Sequence, residues 1–387
     1  MSCTAKRTRI TDVYTKLQSG DVYDDPSTKP IRIDEGYQAQ ATPEEIARVI
    51  LKQAFTPEAD LSGIKVGIAG GNSEMYGADY TDGITKPWFD EFLRCAGMAA
   101  TKVLAIPVSA IATDFEHDEI VTGGVSSAIG RVVVPTDTTD TNVYIVLTSG
   151  NFQAETITGS ISGSATATGV EVDAGWSYQF DTSVCDRMSV RSEHDGQKSE
   201  MYNCVPTIQI VVDDTNIPRI QWELAGVIRK VTDVYQWLRD TTMTVATDRD
   251  TKLPPLFNNA RFKDKDFSPV VDGTTTIDFG IERPARRNAN ADGGVEGYQL
   301  NGRLGMFSHR IDIPSNTDFD VMKDLFDTTS IKTTFRIGDQ PLNTFWNIIR
   351  DGRLKPVVVE DQDGFAKFAL ESKMTGEDDK EFELVCI

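Results

Sequence analysis

Residues Thr274–Ile313 read TTTIDFGIERPARRNANADGGVEGYQLNGRLGMFSHRIDI. Two runs in this stretch, Thr275–Ile281 and Tyr298–Gly305, alternate between apolar and polar residues. Side chains on a strand point to opposite faces in turn, so this pattern predicts two strands. Between them lie Arg283, Arg286, Arg287, Asn288, Asn290 and the pair Gly293–Gly294. That loop is too long for a tight hairpin and too rich in Arg and Asn to pack inside a domain. A solvated loop, an arm paired with carboxylates of another subunit, and a phosphate contact are the three readings. The arm is the one adopted, with Arg283, Arg286, Arg287, Asn288 and Asn290 as inter-subunit contacts.

The bulk properties bear on the choice. Lys plus Arg total 39 and Asp plus Glu total 59 in 387 residues, a formal charge of −20. Such acidity opposes a grip on nucleic acid by counterion release. It suits a soluble particle, or a surface that DNA passes without sticking. A chain of this length exceeds one typical core, so two domains are expected. No apolar run is long enough to span a bilayer, so no membrane association is expected. The first residues, MSCTAKRTRITDVY, lack the apolar segment of a secretory signal. The scattered Cys3, Cys95, Cys185, Cys204 and Cys386 form no C-x-x-C and read as reduced thiols of a cytoplasmic protein.

Working outward, residues 1–40 read as an extended arm, with Pro26 and Pro30 against helix. Ala41–Phe55 predicts a helix, since Thr42 can cap, Pro43 follows it and Glu45 completes a capping box. Leu61–Ala69 predicts a strand ended by Gly70 and Gly71. Lys86–Gly97 predicts a short helix burying Trp88, Phe89, Phe92, Leu93 and Ala96, with Gly97 as C-cap. Residues 112–172 turn rich in Thr, Ser, Gly and Val. They repeat weakly: Glu119–Val132 reads EIVTGGVSSAIGRV and Glu155–Thr168 reads ETITGSISGSATAT. This predicts two similar β-hairpins in an exposed all-β insertion; coincidence within a biased stretch is the alternative. Strands follow at Met188–Arg191, Thr207–Val212 and Arg219–Arg229, with a tight turn at His194–Gly196. Residues 231–259, with Pro254–Pro255, mark the inter-domain connection. Beyond it come helices at Asp318–Phe326 and Pro341–Ile349. Strands are expected at Ile331–Ile337, Pro356–Glu360, Ala366–Ser372 and Glu381–Ile387, with a turn at Asp361–Gly364.

No pattern points to catalysis. His117, His194 and His309 lie far apart, with no His or Cys at metal spacing. Asp361–Gly364 starts like a calcium loop, but Lys367 and Ser372 stand where ligands are needed, so a β-turn is expected. Gly70–Gly71 lacks the residues of a phosphate loop, and no G-x-S-x-G elbow occurs. Asp213–Asp214 and Glu377–Asp379 read as solvated turns. No catalytic residue, metal or cofactor is expected.

Several of these segments together resemble the tail tube proteins of long-tailed phages. The family pattern of a strand, a Gly-rich loop and Pro-aromatic-x-x-x-Leu-x-x-x-Gly is matched by Ile64–Ala69, Gly70–Thr85 and Pro87–Gly97. Ser189–Gly196 with Met201–Thr207, Ile220–Gly226, and the opening stretch through Thr333–Gly338 continue the match in order. The 112–172 insertion departs from it. The resemblance implies a mainly β (α+β) chain of two tandem β-sandwich or barrel-like tube domains with short helices. Their expected limits are 1–40 for the arm, 41–232 for the first domain with its insertion, and 233–387 for the second. It implies a virion structural protein, not an enzyme, made in the host bacterial cytoplasm. Three copies would form a pseudo-sixfold ring, a hexamer being the alternative, and rings would stack into the tube. Tape measure, terminator and distal tail proteins are the implied partners, and DNA would pass through the lumen unbound. A terminator or baseplate ring of the same fold, and a glycan- or surface-binding β-protein, are the competing readings.

Overall fold

The computed structural model describes residues 11–26, 30, 31, 33, 35–46, 61–77, 85–194, 196–212, 217–240, 257–262, 265–266, 275–288, 295–313, 320–327, 330–338, 343–362, 365–376 and 379–387. The chain is mainly β, as the alternating runs predict, with two short helices among the described residues. Its first strands are β1 (Thr11–Leu17), β2 (Glu35–Ile46) and β3 (Leu61–Glu74), followed by helix α1 (Asp90–Cys95). Next come β4 (Met98–Thr113), β5 (Ile120–Gly123), β6 (Ile129–Val132), β7 (Asn142–Ser149), β8 (Thr156–Gly159) and β9 (Ser164–Ala167). Then follow β10 (Val172–Phe180), β11 (Met188–His194), β12 (Gln197–Val212) and β13 (Pro218–Ile228).

The main sheet runs β2–β3–β13–β12 and continues through strands Thr275–Asp278, Met306–Asp312 and Phe365–Thr375. All these pairs are antiparallel, and alternation over Pro218–Glu223 of β13 and Thr207–Val212 of β12 gives the sheet one buried face there. Ala69, Ile220, Trp222, Leu224, Ile208, Ile210 and Ile277 enter the principal core. Helix α1 covers that face, with Phe92 5.4 Å from Trp222 and Phe89 5.9 Å from Phe345 between ring centroids. Gly97 ends the helix at φ +85, a left-handed cap that costs glycine nothing. The principal core reaches from Val13 to Cys386 and so draws on both halves of the chain.

Four local expectations depart from the structure. Ala41–Ile46 is strand rather than helix, paired to β3 with Ala41 opposite Gly67 and Ile46 opposite Leu61; residues 47–55 lie outside the described ones. The capping signal there is local and weak beside a long partner strand. Pro43 is tolerated because β2 pairs only with β3 among the described residues, and the ladder slips between Pro43 and Glu45. Gly70 and Gly71 do not stop β3. They sit inside it, where a Cβ on Gly70 would come within 3.1 Å of the Trp222 carbonyl oxygen. Phe345–Ile349 is likewise strand, within Phe345–Leu354, between Ile331–Ile337 and Phe382–Cys386. Both of its faces are buried, so its apolar spacing carries no period to tell helix from strand. Asp361 and Gln362 also extend a strand, Val358–Gln362; residues 363–364 of the expected turn lie outside the described ones.

The Thr/Ser/Gly stretch forms its own closed barrel of six strands. The second half of β4 pairs with β7, β7 with β6, β6 with β5, β5 with β8, β8 with β9, and β9 with β4 again. The two hairpins of the repeat are β5–β6 and β8–β9. The barrel therefore begins inside β4 at Leu104, ahead of the composition change at residue 112. Its interior, including Ile106, Phe115, Val143, Ile145, Phe152 and Ile157, is a separate apolar cluster. Mapping β4, β5 and β6 onto β7, β8 and β9 reproduces every pairing, and Thr122 opposite Thr158 marks the centre of this internal twofold.

The repeated glutamate explains the repeat. The Glu119 carboxylate accepts from the backbone N–H groups of Ile161, Ser162 and Gly163 at 2.8–2.9 Å. The Glu155 carboxylate accepts from the N–H groups of Val125 and Ser126, at 2.5 and 2.8 Å, and from the Ser126 hydroxyl. Each glutamate thus ties the turn of the other hairpin. Burial would raise both acids, but backbone N–H groups, that of Glu116 first, hold Glu119 below the usual carboxylate range, and the Ser126 hydroxyl with neighbouring N–H groups does the same for Glu155.

Candidate functional site

The solvent face of the main sheet is the first candidate. Register places Asn72, Gln221, Gln209 and Asp278 in one row across four strands. The next row holds Gln38, Gly70, Glu223 and Thr207. Together with Gln40 and Gly36 they line a groove of about 580 Å³. Its two acids are engaged: the Gln209 amide donates to Asp278 at 2.8 Å, and Arg283 pairs with Glu223. The surface is therefore mostly side-chain amide over a glycine floor, on a chain that is otherwise strongly acidic.

The arginine arm is partly folded back on its own chain. Ala285–Arg287 pairs with Val295–Tyr298, so the long loop carries a short ribbon. The expected second strand, Tyr298–Gly305, is broken into this ribbon, Gly302–Arg303 and Met306–Asp312. Arg283 donates to the carbonyls of Val205, at 2.9 Å, and Glu223, at 2.7 Å, bracing β12 against β13. Burial pulls its pKa down, with Glu223 opposing. Arg286 meets Glu296 at 2.9 Å, and Asn288 donates to the same carboxylate at 2.8 Å. Arg287 is exposed and has a partner of its own; Asn290 lies outside the described residues. Of the five residues expected to contact another subunit, Arg283 is thus committed within the chain, while Arg286 and Arg287 stay on the surface.

The densest set of charges lies where the barrel meets the rest of the chain. Glu383, on the C-terminal strand Phe382–Cys386, has no solvent exposure. It accepts from His117 Nε2 at 2.9 Å, Arg131 at 2.8 and 2.9 Å, Arg350 at 2.6 Å and the Ser177 hydroxyl at 2.5 Å. Asp118, in a left-handed backbone conformation at φ 72, accepts from the same two guanidiniums at 2.7 and 3.0 Å. Burial alone would raise the Glu383 pKa, but hydrogen bonds from His117 and Arg131 hold it well below the usual range. The same carboxylates push Arg131 further up against burial.

Ligand atoms of His117, Asp118 and Glu383 lie within 4.8 Å of one another, as a cation site needs. Their oxygens, however, already accept from two guanidiniums, whose charge would oppose a bound cation. The donor set fits an ion lock between barrel and body better than a metal centre. None of these residues was singled out as a site by sequence reasoning, because His117 and Glu383 stand 266 positions apart and belong to no local pattern. Elsewhere, Cys95, Cys204 and Cys386 are buried in the principal core, where burial raises each thiol, and Cys185 is exposed.

Among the described residues no helix is long and apolar enough to cross a membrane. The chain matches no protein-family model and none of the curated proteins in sequence.

Proposed function

We propose that this chain is a structural virion subunit whose copies join into stacked rings forming the tail tube of a long-tailed phage. The observation that carries the reading is the main sheet. It has one face backed by α1 and the core, one amide-lined face, and an edge strand, β2, paired on one side only among the described residues. An edge of this kind is a liability in a lone monomer and an interface in an assembly. The ordered motifs shared with tail tube proteins support the same reading. In it, three chains close a pseudo-sixfold ring and the amide-lined faces form the conduit for the genome. Tape measure, terminator and distal tail proteins then meet the tube at its lumen and ends.

Electron microscopy and mass measurement of the purified protein test this. Rings of three chains, stacking into tubes, are expected. Six chains per ring would overturn the trimer, and a strict monomer at every concentration would overturn the assembly. A terminator or baseplate ring would differ in copy number, being present as one ring per particle.

A further inference from the structure

At the seam between the barrel and the C-terminal strands lies a second, smaller pocket of about 160 Å³. Val134, Thr136, Asp140 and Tyr144 line it from the barrel; Arg336 and Trp346 line it from the body. Arg336 stands directly opposite Trp346 in the ladder, with its guanidinium 5.9 Å from the indole centroid. Its Nε is buried and makes no hydrogen bond. Other half-buried arginines of the described chain are tied to acids: Arg94 to Asp186, Arg187 to Asp21, Arg229 to Glu200, Arg303 to Glu381. Arg336 meets no carboxylate among the described residues. The Nε atoms of Arg191 and Arg350 are likewise buried without a hydrogen bond, but those arginines pair with Asp25 and Glu383.

A buried donor without an acceptor costs about 1–3 kcal/mol, so native chains rarely keep one unless something fills it. The geometry points to the Arg336 pocket as a receptor for an Asp or Glu side chain of a second copy of this chain. A carboxylate matches the planar fork of a guanidinium with two parallel hydrogen bonds, and the indole wall excludes water from one side. The pocket holds several times the ~30 Å³ share of one water, enough for the end of such a side chain. The charge balance names the source: copies of the chain carry acids in excess of the cations available to pair them.

This inference rests on the reading of the chain as a self-assembling subunit. Sedimentation velocity on wild type, Arg336→Gln and the exposed-site control Arg353→Gln separates the two. Truncating one partner of a desolvated ion pair at an interface commonly weakens association by well over ~10-fold. Arg336→Gln is expected to weaken association by at least that factor, with Arg353→Gln matching wild type. Normal assembly of Arg336→Gln, or equal weakening by both variants, overturns the pocket while leaving assembly standing. A wild type that stays monomeric overturns the assembly reading and this occupant with it. If Arg336→Gln does not fold, N-acetylglutamate added in excess to wild type decides. Dissociation beyond that caused by sodium chloride of equal ionic strength supports the site, and no added effect overturns it.

Discussion

Replacing Glu383 by Gln keeps the shape of the side chain and removes its charge. Two guanidiniums, an imidazole and a hydroxyl then face an amide that can accept at one atom only. Asp118 still pairs with Arg131 and Arg350, so the cluster is not stripped of all negative charge. Breaking a buried pair by removing one partner costs about 3–5 kcal/mol, and most of that is the uncompensated charge left behind. Unfolding entropy of about 2.1 cal/mol/K per residue over 387 residues gives about 0.8 kcal/mol/K. A two-state loss of this size therefore lowers Tm by about 4–6 °C. The pH dependence adds a second check. Glu383 is held below the ordinary Glu range in the fold, so its contribution is complete above the unfolded value of about 4.3 and fades as pH falls below it. The gap between wild type and Glu383→Gln should be constant from neutral pH to about 5 and close in acid. Calorimetry across this range measures both. A Tm within a degree of wild type at neutral pH, or a gap that does not narrow as pH falls below about 4.3, would refute the account of the cluster as an ion lock.

Further outcomes follow from the same geometry. Deleting residues 112–172 leaves Ile106, Val108 and Ile111 on β4 without the core they fill; insoluble protein is expected on expression, whereas the barrel isolated from Leu104 onward is expected to melt cooperatively on its own. Glu119→Gln and Glu155→Gln each remove a charged acceptor of several backbone N–H groups, which should lower stability by about 1–3 kcal/mol, measured by denaturant titration. Burial pushes His309 down to about 3. Its neutral form is favoured in the fold, so stability should be complete above pH ~6.5 and fall as pH drops below it, a slope that His309→Phe is expected to flatten. In the arm, Arg286→Glu with Arg287→Glu should block ring stacking and leave the subunit folded. Arg283→Ala should instead destabilise the subunit itself, because that side chain braces β12 against β13.

The β character, the α1 helix and the two hairpins were legible because each has a short-range cause. Alternation marks a half-buried strand, Pro87 and Gly97 bracket the helix, and the repeated Glu-x-x-Thr-Gly frame marks the hairpins. What the glutamates do was not legible, since each acts on the turn of the other hairpin, across the barrel. Ala41–Ile46 misled because a capping box is read from four residues, whereas a strand is decided by its neighbour. Phe345–Leu354 misled because burial on both faces erases the period that separates helix from strand. The ion lock was invisible for a more general reason. Its members come from the β4–β5 loop, β6, β10 and the strands Phe345–Leu354 and Phe382–Cys386, and nothing in a linear pattern records that these ends converge. Arg283 shows the converse case. The loop was read as an arm that meets another subunit, yet one of its forks, Arg283, is spent inside the chain.

The acid surplus also needs placing. In the tail-tube reading proposed above, net charge alone would suggest an acidic channel that repels a passing genome. The main sheet offers a different route to the same end. Its groove carries Gln38, Gln40, Asn72, Gln209 and Gln221, and its two acids are engaged by Gln209 and Arg283. Amides bind phosphate weakly, because a neutral donor gains little over the water it displaces. They also lack the counterion exchange that drives non-specific binding to DNA. If this face lines the conduit, low affinity comes from neutrality there rather than from repulsion, and the surplus carboxylates act elsewhere, in solubility and in meeting cations of neighbouring copies. The two routes separate in one experiment. Replacing Gln209 and Gln221 by Lys turns a neutral face into a basic one at every copy. Salt-sensitive binding of duplex DNA to assembled tubes should then appear where wild type shows none. Equal indifference to DNA in both proteins would place the amide face away from the channel.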